Sequence, residues 1–102
     1  MTEVRHRKIE VLLDAPLIPR LADFAEAAGI SGYTILPTLA GVGRQGAWSE
    51  DLVAGADTKV LFWTVTTEEK AMQFQLAVEP FLTSYKMVWV ETHATVLRPQ
   101  RF

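Results

Sequence analysis

Cysteine is missing from this chain of 102 residues. Its absence excludes a disulfide framework, a thiolate metal site and a cysteine nucleophile. Long apolar runs are missing too: none approaches the ~20 residues a helix needs to cross a bilayer. The first residues are polar and charged, unlike a signal peptide, so a cytoplasmic protein without membrane insertion is expected. Charge of one sign is scarce: the formal net charge is −2. That leaves no electrostatic case for nucleic acid, which favours a clustered basic face. Histidine is limited to His6 and His93. Ser31, Ser49 and Ser84 lack the flanking residues of a nucleophile elbow.

What is present is enough for one packed domain spanning 1–102. A hydrophobic fraction of 49% lets a chain of this length bury enough apolar surface to offset its lost entropy. The basic residues gather toward the two ends: Arg5, Arg7 and Lys8, then Arg98 and Arg101.

Period-two alternation over Arg7–Leu13 predicts a first strand. Pro16 and Pro19 end it, and proline suits a first helical turn, whose N–H groups have no intrahelical acceptor. A helix is therefore expected from about Leu17–Pro19 to Ala28, with Leu21, Phe24, Ala25 and Ala28 on one stripe. Gly29 stands where a left-handed cap is wanted. Gly32 to Ala40 reads as a second strand, with Pro37 marking an edge or bulge. Gly41-Val42-Gly43-Arg44-Gln45-Gly46 is too glycine-rich for regular structure, and the polar stretch through Thr58 reads as a loop. Loops of that length tend to be functional or disordered. Lys59–Val65 is β-branched and aromatic, the clearest strand in the chain. Thr66-Thr67-Glu68-Glu69 offers a capping box to a helix carrying Ala71, Met72, Phe74, Ala77 and Val78, which Pro80 kinks or ends. Met87–Val90 is a fourth strand, and Ala94–Leu97 a short fifth.

Strand–helix–strand–strand–helix–strand is the split βαβ order of a ferredoxin-like α+β sandwich. Both helices cover one face of an antiparallel sheet and the other stays bare. Trp63 or Trp89 on the bare face would mark an interaction surface, from which we expect a homo-oligomer. The alternative puts both tryptophans under the helices.

The glycine run carries the most chemical information. Closely spaced glycines let successive N–H groups turn toward an anion, and Arg44 adds a bidentate fork. The run lacks the lysine and hydroxyl residue of a Walker loop and the third glycine of a dinucleotide fingerprint. On these residues alone, a phosphate-holding loop and a plain flexible hairpin both fit.

The surrounding residues resemble the nitrogen-regulatory PII family. Ala28-Gly29-Ile30-Ser31-Gly32-Tyr33-Thr34-Ile35 looks like that family's junction of first helix and second strand. Gly41 to Gly46 looks like its approach to the long T-loop, and Lys8-Ile9-Glu10 like the start of its first strand. Val96-Leu97-Arg98-Pro99-Gln100-Arg101-Phe102 resembles the tail of the divergent PII-like branch. The resemblance implies a non-enzymatic regulator: a homotrimer with AMP, ADP or ATP bound in clefts between subunits. It needs no cofactor and has no catalytic residues. It also implies a T-loop, about 44–58, that controls a partner such as a membrane transporter or an enzyme. Carried over by position, Gly41, Gly43, Arg44 and Gln45 match the T-loop base, Thr34 a threonine near the ligand, and Arg98 a basic position of the C-terminal segment. The family's glycine-rich B-loop is replaced by Pro80–Lys86, without a glycine, where Lys86 is expected to supply a point charge. No tyrosine lies between Arg44 and Lys59, so uridylylation there is not expected. These departures point to a divergent branch that reads AMP, ADP or another small anion.

Three other constellations are present in the sequence. His6 and His93, with Glu91 or Glu10 as a third ligand, would make a metal-responsive trimer of the CutA-like kind; the bland reading is two surface histidines. Trp48, Trp63 and His93 would line the pocket of a small ferredoxin-like monooxygenase. Glu50 and Asp51, adjacent in a loop, read as a solvated turn, because nothing there would push two carboxylate pKa values apart.

Overall fold

The computed structural model describes residues 5–44, 46–49 and 58–102. Six strands and two α-helices follow in the order β1 (His6–Asp14), α1 (Ile18–Ala27), β2 (Thr34–Pro37), β3 (Ala40–Gly43), β4 (Gly46–Ser49), β5 (Lys59–Thr67), α2 (Glu68–Val78) and β6 (Val88–Ala94). Short 3-10 turns occupy Ala15–Leu17, Glu79–Phe81 and Pro99–Arg101. The main sheet is antiparallel in the order β2-β5-β1-β6, and β3 pairs with β4 in a separate ribbon. The two helices and this sheet make the expected ferredoxin-like α+β sandwich.

Register explains which side chains the helices cover. Ile9, Val11 and Leu13 of β1 lie opposite Thr64, Phe62 and Val60 of β5. On the other side Val11 faces Trp89 of β6. Ile9, Val11, Leu13, Phe62 and Thr64 are fully buried against Leu21 and Ala25 of α1 and Ala71, Phe74 and Val78 of α2. Each such large apolar side chain contributes roughly 1.5–3 kcal/mol by leaving water. Phe74 touches both Phe62 and Trp89 through ring contacts of 5.8 and 4.9 Å. Trp89 thus lies under the helices. Trp63, opposite Glu10 and Thr34, lies on the bare face. The two tryptophans divide between the two readings.

Helix ends follow local chemistry. Gly29 adopts φ 86, and the Gly29 and Ile30 N–H groups donate to the Glu26 and Ala25 carbonyls. This is a Schellman motif, which a left-handed glycine permits. At α2 the cap is Thr67, whose Oγ1 accepts from Lys70 N–H at 3.3 Å. The capping box expected from Thr66 and Glu69 is not formed: Thr66 belongs to β5 and is buried. With Thr67 as cap, the third helical residue is lysine. Glu68 and Glu69 still favour the positive end of the helix.

Three expectations need correction. The strand expected over Gly32–Ala40 is only β2, four residues long. Residues Thr38 and Leu39 separate it from β3, because Pro37 leaves no N–H to continue the ladder. The Gly41-Val42-Gly43 stretch, expected to be irregular, is part of β3, and β4 occupies the start of the expected loop. The fifth strand expected at Ala94–Leu97 does not form: β6 ends at Ala94, and the chain turns into the Pro99–Arg101 helical turn.

Candidate functional site

The β3–β4 ribbon is tied to the sheet by one aromatic side chain. Trp48 lies opposite Gly41, and its indole covers that glycine so closely that a Cβ there would clash with the ring. The indole N–H donates to Thr38 Oγ1 at 2.9 Å, and that hydroxyl donates to the Lys59 carbonyl at 2.7 Å. The Lys59 ammonium sits 5.8 Å from the Trp48 ring and 2.6 Å from Asp14 Oδ1. The footing of the ribbon therefore joins β1, β5 and the residues after β2. Glycine at 41 has a packing reason here: a flat ring needs bare backbone beneath it. Gly43 lies 3.8 Å from the same ring when a Cβ is built on it, an ordinary contact. Arg44 follows β3 as an exposed turn residue, and Gln45 lies outside the described residues, as do Glu50 and Asp51.

A second feature lies at the other end of β5. The strand β2 pairs with Val60–Trp63, so among the described residues no strand lies beside that edge of β5 beyond Trp63. The Thr64 hydroxyl donates to the Gly32 carbonyl at 2.7 Å and holds the incoming chain there. A cavity of about 300 Å³ opens in this place. Gly32, Thr34, Trp63, Thr66, Arg101 and Phe102 contribute to its wall. It combines a guanidinium, hydroxyls and aromatic surface, a set suited to a small ligand with a flat apolar part and an anionic part.

Of the six expected site residues that the structure describes, only Thr34 lines this cavity. Arg98 precedes the helical turn that delivers Arg101. Lys86 is exposed in the turn before β6, with φ 54. Its turn and the ribbon's footing lie toward the Asp14–Lys59 end of the sheet, while the C-terminal segment lies toward the His6–Thr67 end. Within one chain these groups do not converge. Arg101 and Gly32 were not singled out from sequence. Arg101 carried a signal in the basic residues near the chain's end, but one arginine was indistinguishable from its neighbour three positions earlier.

The competing constellations come apart. His6 faces Ala94 across the β1–β6 ladder and His93 faces Arg7, so alternation puts the two imidazoles on opposite faces. Glu91 accepts from the Trp89 indole at 2.8 Å and lies 4.0 Å from Arg7. Among the described residues, no group of three metal-ligating side chains is assembled. Trp63 is on the bare face, Trp48 at the ribbon's footing and His93 on the helix side, so no shared pocket forms.

The fold, with its separate ribbon and the cavity beside β5, places the chain among the small ferredoxin-like α+β domains. The sequence matches the nitrogen regulatory protein P-II family over residues 6–101, and the chain belongs to that family. No curated protein matches it in sequence. Among solved structures it is similar to CPII, a nitrogen regulatory PII-like protein of Thiomonas intermedia bound to ADP, AMP and bicarbonate. That match has a TM-score of 0.88 and 24% identity, over 99% of this chain and 96% of that one. A PII-like signalling protein of Thermus thermophilus matches with a TM-score of 0.81 at 19% identity, over 100% and 99% of the two chains. The GlnK–ATP complex of B. subtilis matches with a TM-score of 0.63 at 10% identity, over 92% and 85%.

Proposed function

We propose that this chain is a PII-like regulator. It senses an adenine nucleotide together with a small anion in clefts between copies of itself, and reports occupancy through the segment 44–58. The observation that carries this reading is the family match over 6–101. The ligands held by CPII, ADP, AMP and bicarbonate, make these the first probes, with ATP as the comparison.

Two features of the chain support the reading. The bare sheet face exposes Leu36, Trp63, Val88 and Val90, apolar surface that a homotrimer would cover. Arg44 and Lys86 lie away from Arg98 and Arg101 along the sheet, so these basic groups serve one anion only if neighbouring copies bring opposite ends together. Thr34, Gly41, Gly43, Arg44, Gln45, Lys86 and Arg98 remain the proposed ligand set, with Arg101 added. In this reading the protein works in the cytoplasm as a switch rather than an enzyme. The ordered segment 44–58 docks on, or releases, a transporter or an enzyme, an order–disorder device.

Hydrogen exchange across 44–58, with and without AMP, ADP or ATP and with bicarbonate added to each, tests the proposal. Slower exchange with at least one nucleotide, in a protein that native mass spectrometry shows to be trimeric, is expected. Unchanged exchange at saturating concentrations of all three, or a monomer, overturns it.

A further inference from the structure

One wall of the cavity is not part of the sandwich. Arg101 and Phe102 come from the end of the described chain, held in a single helical turn in which the Arg101 and Phe102 N–H groups donate to the Arg98 and Pro99 carbonyls at 3.2 Å. Two contacts fasten this segment to the domain. The Phe102 ring stands edge-on to the buried His6 imidazole, with centroids 5.3 Å apart. The Lys70 ammonium donates to the Phe102 main-chain oxygen at 2.9 Å.

Lys70 is built for reach. It sits in the first turn of α2, and its aliphatic stem runs past the end of α1: a Cβ built at Gly29 would stand 3.5 Å from Lys70 Cε. The lysine stem thus runs at ordinary contact distance beside the Gly29 turn, where the positive φ requires glycine. A cation at the C-terminal end of α1 is favoured by that helix's exposed carbonyls, which helps hold the side chain in place.

Arg101 is the one charged side chain in the cavity wall among the described residues. Its position depends on the fastening of the residue that follows it. We infer that Lys70 is a positioning residue: it straps the segment Pro99–Phe102 over the cavity of its own subunit and so presents Arg101 to an anionic ligand. The inference rests on the proposed ligand-sensing function for the choice of probe, but the strap itself can be tested without any ligand.

The variant Lys70→Met keeps the stem and removes the donor. In ligand-free protein, hydrogen exchange of the Arg101 and Phe102 amides should accelerate about tenfold, the expected effect of losing a charge-assisted hydrogen bond. Phe102→Ala, which leaves Lys70 in place, should accelerate the same amides by loosening the other fastening. AMP and ADP affinity should fall about fivefold to tenfold in Lys70→Met; without coupling, the same factor would separate the Arg101→Gln, Lys70→Met double variant from Arg101→Gln alone. The inference requires coupling: in the Arg101→Gln background, Lys70→Met should change affinity less than twofold. Unchanged amide exchange in both single variants overturns the strap, as do independent, multiplying effects of Lys70→Met and Arg101→Gln. If none of AMP, ADP and ATP binds the wild-type protein, the proposed function fails, and the amide exchange alone decides whether the strap exists.

Discussion

Replacing Trp48 should release the β3–β4 ribbon while leaving the sandwich intact. Trp48→Phe keeps a ring over Gly41 but removes the donor to Thr38. A hydrogen bond of this kind contributes about 1 kcal/mol, so the ribbon's opening should become about fivefold more frequent. Trp48→Ala also loses the contact with the Lys59 ammonium, worth about 0.5–1 kcal/mol. Together with the apolar cover of Gly41, itself worth about 1–2 kcal/mol, the loss reaches about 3 kcal/mol. An isolated two-stranded hairpin is marginally stable at best, so this loss should leave the ribbon open. The readout is residue-resolved hydrogen exchange of Ala40–Gly43 and Gly46–Ser49, set beside urea unfolding of the whole protein. Ribbon amides should accelerate about fivefold in Trp48→Phe and approach unstructured rates in Trp48→Ala, each opening being local. Global stability should change by less than about 0.5 kcal/mol, because the residue touches none of the buried core. If β1 and β5 amides accelerate in proportion, ribbon and sandwich form one cooperative unit and the reasoning fails. Unchanged ribbon amides would refute the anchoring role of Trp48 altogether.

Three further outcomes are expected. Lys86→Gly should raise unfolding stability by about 1 kcal/mol in urea titration, because a non-glycine residue at φ 54 bears a left-handed backbone cost; the same change should weaken nucleotide binding if its charge serves the ligand. Thr67→Ala should destabilise by about 1 kcal/mol through loss of the α2 cap, measured by thermal and urea unfolding. Val88→Glu places a charge on the bare face at a position 55% exposed. It should shift the proposed assembly toward monomer in sedimentation velocity while leaving the far-ultraviolet circular dichroism of the domain unchanged.

The sandwich was legible where periodicity and punctuation agreed. Alternation in β1, the apolar stripe and Gly29 stop of α1, and the β-branched run of β5 each pointed one way, and consistent local signals of this kind mark a well-specified element. The ribbon was hidden because glycine has little strand preference of its own. What covers Gly41 is an indole seven positions later, a cross-strand pairing that no periodicity in the sequence signals. The sides taken by Trp63 and Trp89 were obscured by the continuous apolar runs around them, which blur a period of two. The cavity was invisible for a related reason. It is made by a strand that stops four residues after it starts and by a turn from the far end of the chain. Lys70, which no local pattern singles out, meets Phe102, more than 30 positions away in the chain.

The β5 strand, from Lys59 to Thr67, has two ends with different duties. At Lys59 it furnishes the acceptor and the ammonium on which the ribbon stands; at Trp63 and Thr66 it furnishes the floor of the cavity. A hydrogen-bonded strand inside a sheet moves as a stiff bar. Any tilt that makes room at the cavity is felt, along the same backbone, as a tilt of the pedestal beneath the ribbon.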